Sequence, residues 1–193
     1  IVNRVLPTLF TIRRSTRTDG QAETDDTIIG VMSSNVDDLI YGYLPEAEEP
    51  MARILETFDV REQQDTEFRF CGKEVKQHKD FSIMVTAKDN TEKIRPIEIA
   101  FGRKLVDKCS QAEITAMRSV VASLAWIARQ VRPQLSYRVS KLQSATNNST
   151  IKDVRDCNKV LDYALETSTK GIFFDSNLNW DEAVVTTIAD AGF

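Results

Sequence analysis

The sequence predicts an α+β fold, with paired strands in the first half and helices in the second. Three patterns carry that expectation. β-prone runs meet at turn-like junctions before residue 90, an apolar stripe repeats at helical spacing over 114–131, and a second such stripe spans 154–165.

Taken in order, residues 7–14 (PTLFTIRR) form a short strand and the polar 15–26 a turn-rich loop. Residues 27–36 and 38–43 are two β-prone halves joined at Asp37-Asp38, the layout of a hairpin with acids at its tip. Pro45 opens a helix whose first turn holds Glu46, Glu48 and Glu49, where negative charge favours the positive end of the helix dipole. Residues 68–87 read as a second hairpin. Phe68, Phe70 and Gly72 alternate, QHKD turns, and Phe81, Ile83 and Val85 alternate back. A glycine inside a strand, as Gly72 is here, marks a bulge or a close backbone approach.

From 91 to 108 the chain is irregular and increasingly basic. Ser110 and Glu113 then make a capping box for a helix whose stripe is Ile114, Met117, Val120, Val121, Leu124, Ile127, Ala128 and Val131. Pro133 begins a second helix to about Ala145. Residues 151–166 form a third, with Val154, Cys157, Val160, Leu161, Ala164 and Leu165 inward and Lys170-Gly171 closing it. IFFD and AVVTTIAD read as two strands of a new sheet.

At 193 residues, 41% apolar and 28% charged, the chain has the size of one domain or two small ones and a globular composition. No apolar run approaches the ~18–20 residues of a membrane span. The opening IVNRVLPTLF has neither a Met nor a signal-peptide layout, so a piece of a longer, non-secreted chain is expected. Three scattered cysteines and one histidine weigh against a zinc site or a disulfide framework, and for a reducing compartment. Charge is uneven. Residues 19–92 hold 18 acids and 7 bases, and residues 93–170 hold 7 acids and 14 bases. A basic middle beside an acidic segment suits an anionic polymer with metal-binding carboxylates nearby.

Adjacent side chains on a strand point to opposite faces, so only a turn lets Asp37 and Asp38 approach one ion cluster. Their hard oxygens suit Mg²⁺. Aspartate is common in turns for local hydrogen-bonding reasons, so the pair by itself is weak evidence.

Order adds the rest. Asn35-Val36-Asp37-Asp38, then Phe70-Cys71-Gly72-Lys73-Glu74-Val75, then 117–129 (MRSVVASLAWIAR) with 131–135 (VRPQL), then 163–167 (YALET) with 171–174 (GIFF), and finally 189–193 (ADAGF) occur in sequence. This series resembles the copia-type retrotransposon reverse transcriptases, from about residue 5 to the end. The resemblance implies an RNA-directed DNA polymerase fragment. In it, 1–90 would be the distal palm with its metal hairpin and primer-grip hairpin, 91–168 a helical thumb and connection, and 169–193 the start of an RNase H-like domain. Asp37 and Asp38 would be palm acids, and Asp190 the first RNase H carboxylate. Asn35, Gly72, Lys73, Lys76, Arg118, Arg129, Arg132, Arg138 and Lys141 would meet nucleic acid, the bases by neutralising phosphates. The implied cofactor is Mg²⁺ or Mn²⁺ in the intact parent. The implied partners are an RNA template, a DNA primer, a dNTP and the rest of the Pol polyprotein, with no membrane. The implied location is a cytoplasmic virus-like particle or the nucleus.

Two departures stand out. Asn35 occupies the place of the family's aromatic or histidine, and the palm's third carboxylate and the nucleotide-binding segment have no counterpart in 1–193. The fragment is therefore expected to be inactive alone. The alternative is a decayed or repurposed copy that serves as a non-catalytic nucleic-acid-binding or structural module.

Overall fold

A computed structural model describes residues 8–18, 21–58, 60, 62–179 and 182–184, with backbone alone for 15–18 and 21–26. The fold is α+β: two antiparallel sheets and five α-helices among the described residues, in two compact units, Ile1–Asp65 and Thr66–Phe193. The partition falls earlier than the expected boundary near residue 90, so the strands that follow Thr66 share a unit with the helices. No helix among the described residues is long and apolar enough to cross a membrane.

The first unit holds β1 (Leu9–Thr18), β2 (Gln21–Asn35) and β3 (Asp38–Tyr43), paired in that order. A 3-10 turn, Pro45–Ala47, leads into α1 (Glu48–Thr57). Residues 15–26 were expected to be a loop. Instead β1 runs on to Thr18 and β2 starts at Gln21, with Ser15 opposite Thr24 and Thr18 opposite Gln21. In sequence the two strands are separated by Asp19-Gly20, a dipeptide that two-residue hairpins favour, but the polarity of the flanking residues hid the strands. A register shift at Ile12–Ser15 marks an irregularity in β1. Ile29, Met32, Ala47 and Met51 are buried. Glu46 is held by Arg14, whose Nε and second guanidinium nitrogen each donate to it at 2.9 Å, so this acid has a structural task.

In the second unit β4 (Glu67–Phe70), β5 (Lys73–Gln77), β6 (Ile83–Thr86) and β7 (Ile172–Phe174) form one antiparallel sheet in that order. The expected single hairpin over 68–87 is three strands. Its first reversal is at Cys71-Gly72, with φ of 50° and 76°, and Phe70 pairs with Lys73. Positive φ at both central residues is the type I′ pattern that matches strand twist, so Gly72 lies in a turn and not inside a strand. β7 also departs from expectation. It opens no new sheet but pairs with β6, Val85 opposite Ile172. The second strand expected there, over 183–190, falls largely outside the described residues.

After α2 (Lys88–Glu92) the chain is irregular to Ser110, as expected. It is tied down by Asn158, whose side chain accepts from the Ile97 N–H and donates to the Ile97 carbonyl, both at 2.9 Å. Then come α3 (Gln111–Gln130), α4 (Ser136–Ala145) and α5 (Ile151–Glu166). The predicted capping box of α3 forms. The Glu113 N–H donates to Ser110 Oγ at 3.3 Å and the Ser110 N–H to Glu113 Oε2 at 2.7 Å, and that second bond, above all, lowers the Glu113 pKa. At the start of α5 the Thr150 N–H and hydroxyl both donate to Asp153 Oδ2, at 2.8 and 2.7 Å. Met117, Leu124 and Ile127 of α3 meet Leu135, Val139, Val154, Cys157 and Leu161 in one core, with Val85 of the sheet against it. Cys157, wholly buried, has its thiol pKa pushed up to about 11 by desolvation. Cys71 and Cys109 are half-buried free thiols.

Candidate metal and nucleic-acid sites

The acidic tip is a two-residue hairpin. Asn35 pairs with Asp38, leaving Val36 and Asp37 as the loop. Val36 has φ of 54°, and its side chain is 92% exposed. For a β-branched residue the left-handed region is an outlier, and the surrounding ladder has to hold it there. The two-residue connection puts Asp37 in the turn and Asp38 at the start of β3, both exposed, at one end of the sheet. Strain of this kind gathers where geometry serves function. Val36→Gly should relieve it by about 1 kcal/mol. Hydrogen exchange of the β2 and β3 amides would then slow roughly fivefold. Unchanged or faster exchange would show that the tip is not strained.

Carboxylates are the donors a hard divalent cation takes. In number they fall short. Among the described residues no group of three or more His, Cys, Asp or Glu side chains is placed to hold a metal ion. Two carboxylates alone would supply only part of a two-metal centre. Asp190 lies outside the described residues.

The expected nucleic-acid residues scatter over different tasks. Gly72 packs inward: a Cβ there would meet the Asn90 amide and the Trp126 ring at 3.5 Å, and its carbonyl accepts from Asn90 Nδ2 at 2.7 Å. Asn90 and Trp126 are thus the supports of this turn that sequence reading overlooked. Nothing marks Asn90 locally, since it lies 18 residues away on α2. Lys73 Nζ donates to Gln130 Oε1 at 3.2 Å, and Lys76 pairs with Glu67 at 2.8 Å. Arg118 donates to Asn147 Oδ1 at 2.9 Å, and the Arg138 guanidinium sits 5.3 Å over the Tyr163 ring. All four are surface interactions that a phosphate could replace or share, except that Lys73 is half-buried.

Arg132 is a correction. It is 1% exposed, and its guanidinium donates to the Thr167 carbonyl at 2.8 Å and to Thr167 Oγ1 at 2.6 Å. It ties the end of α3 to the end of α5 and is not offered to a phosphate. Arg129 and Lys141 are exposed, with no side-chain partner among the described residues. Eleven residues apart at 100° each, Arg118 and Arg129 share one face of α3, about 16 Å from each other. A cleft of about 650 Å³ runs between residues 93–98 and α3, bordered by Asn90, Lys93, Arg95, Ala116, Ser119 and Ser123.

Comparison with protein-family models, with curated proteins and with solved structures finds no match for this chain. The functional reading therefore rests on the residues and the geometry above.

Proposed function

We propose that the chain is part of an RNA-directed DNA polymerase of the copia-type retrotransposon kind. The acidic hairpin would be its palm metal loop, the turn at Cys71-Gly72 its primer-grip region and α3 to α5 its thumb and connection. The observation that carries this reading is the tip itself: Asp37 in a two-residue β-turn and Asp38 beside it at the start of β3, with Val36 held at φ of 54° in the same turn. The five sequence blocks in order support it. In the intact parent, Asp37 and Asp38 would lend oxygens to the divalent cations of nucleotidyl transfer, and a further carboxylate would come from elsewhere. The block 189–193, with Asp190, would open RNase H beyond the β7 strand.

A second reading, a copy that binds nucleic acid without catalysis, is favoured by Asn35 beside the acids. One set of measurements separates the two. Residues 1–193 should bind an RNA–DNA hybrid weakly, losing at least about tenfold in affinity between roughly 50 and 200 mM salt, and should not extend a primer. The whole reading frame that contains these residues should extend an RNA-templated primer with Mg²⁺, and Asp37→Asn should abolish extension. An Asp37→Asn frame that extends normally sinks the polymerase reading. A frame inactive in both forms, with hybrid binding kept, supports the second. Hybrid binding that is absent or indifferent to salt sinks both.

A further inference from the structure

Residues 100–108 lead into α3 and carry, in Phe101, the most exposed apolar side chain among the described residues of the second unit. Phe101 is 107% exposed, Val106 79% and Leu105 46%. The loop is nevertheless well braced. The Arg103 N–H donates to the Ala100 carbonyl at 3.4 Å across Phe101 and Gly102, and Gly102 has φ of 82°, the type II turn pattern. The Arg103 guanidinium donates to both Glu113 oxygens, at 3.0 and 3.2 Å, and to the Lys108 carbonyl at 2.6 Å. The Lys104 N–H donates to Asp107 Oδ2 at 2.8 Å. From the first turn of α5, the Lys152 and Ile151 N–H groups donate to the Leu105 and Asp107 carbonyls, both at 3.0 Å. A ring held outward by this much backbone order exposes apolar surface that a partner would cover.

Charge says which partner. The neighbouring acids are engaged internally: Asp107 with the Lys104 N–H and the Arg103 guanidinium, Glu113 with Ser110 and Arg103, Asp153 with the Thr150 N–H. The ammonium groups of Lys104 and Lys152 have no partner among the described residues. An aromatic ring with open faces beside uncompensated positive charge fits a polyanion that carries flat π surfaces. We propose that this loop is a stacking platform for single-stranded nucleic acid, with a base on the Phe101 ring and Lys104 and Lys152 against the flanking phosphates. The inference builds on the nucleic-acid reading above and assigns the single strand, as distinct from the hybrid duplex, to this loop.

The test uses the 193-residue chain and a labelled oligothymidylate of about twenty nucleotides at low salt. Phe101→Ala should weaken binding roughly tenfold. Its thermal midpoint should match the parent's, because the ring packs on nothing. Lys104→Glu should weaken binding and flatten its salt dependence by about one phosphate contact. Phe101→Trp should bind as the parent does and gain an emission component quenched on binding. Parent-like affinity in Phe101→Ala, or unquenched Phe101→Trp emission at saturation, overturns the proposal. So does a Phe101→Trp response to phosphatidylserine vesicles but not to the oligonucleotide, which would make the partner a lipid surface. A chain that binds hybrid but not oligothymidylate overturns this inference alone, whereas loss of both takes the polymerase reading with it.

Discussion

Gly171→Ala should destabilise the second unit by about 3 kcal/mol or more and lower its melting temperature by roughly 10 °C. A Cβ at Gly171 would lie 1.9 Å from the Val85 carbonyl oxygen and 2.8 Å from its carbon. Neither atom belongs to a side chain that can swing aside. Both are backbone of β6, next to the point where Val85 faces Ile172 of β7. The alanine therefore forces a choice between distorting β6 and detaching β7, and detachment also uncovers the β6 edge. Thermal unfolding followed by circular dichroism reads the effect. Gly42→Ala is the control: a Cβ there meets nothing within 4 Å, and its change should stay within about 0.5 kcal/mol. Equal melting of the two variants would show that β7 does not approach β6 so closely.

Arg132→Ala should cost about 3 kcal/mol while leaving nucleic-acid affinity unchanged at temperatures where the variant is folded. The substitution removes a large buried side chain and strips the Thr167 carbonyl and hydroxyl of their donors. Arg132→Lys should recover little, because a single ammonium does not reproduce the planar fork that reaches both oxygens. Arg129→Ala, three residues earlier and exposed, should show the reverse: parent-like stability with weaker hybrid binding. If Arg132→Ala melts like the parent but binds hybrid poorly, its assignment as an internal tie fails.

That contrast shows what could be read ahead of the structure. Arg129 and Arg132 lie in one basic stretch, and composition alone gives them the same role. Only the meeting of the α3 and α5 ends separates them. The helices themselves were legible, because their signals are local. The Ser110–Glu113 box, the stripe from Met117 to Val131 and the pattern from Val154 to Ala164 each lie within a few turns, and each reappears in the core. The acidic tip was legible for the same reason, since a two-residue reversal between β-prone runs needs only its neighbours. β1 and β2 were obscured because their outer halves are polar, so the alternation that marks a buried strand face is missing there. The reversal at Cys71-Gly72 was hidden in a run whose alternation continues unbroken through the turn. β7 was identified as a strand but not placed, since its partner lies 87 residues back and no local pattern encodes a pairing of that range.

The same long-range pairing orders events on a growing chain. Strands β4 to β6 leave the ribosome early, yet the edge of β6 stays open until Phe174 has emerged, after the whole of α3, α4 and α5. The helical core, built from closer contacts, can form first and present that edge for capture. Assembly of the second unit thus ends on three residues, and a nascent chain halted just short of them carries a finished core beside an unfinished sheet.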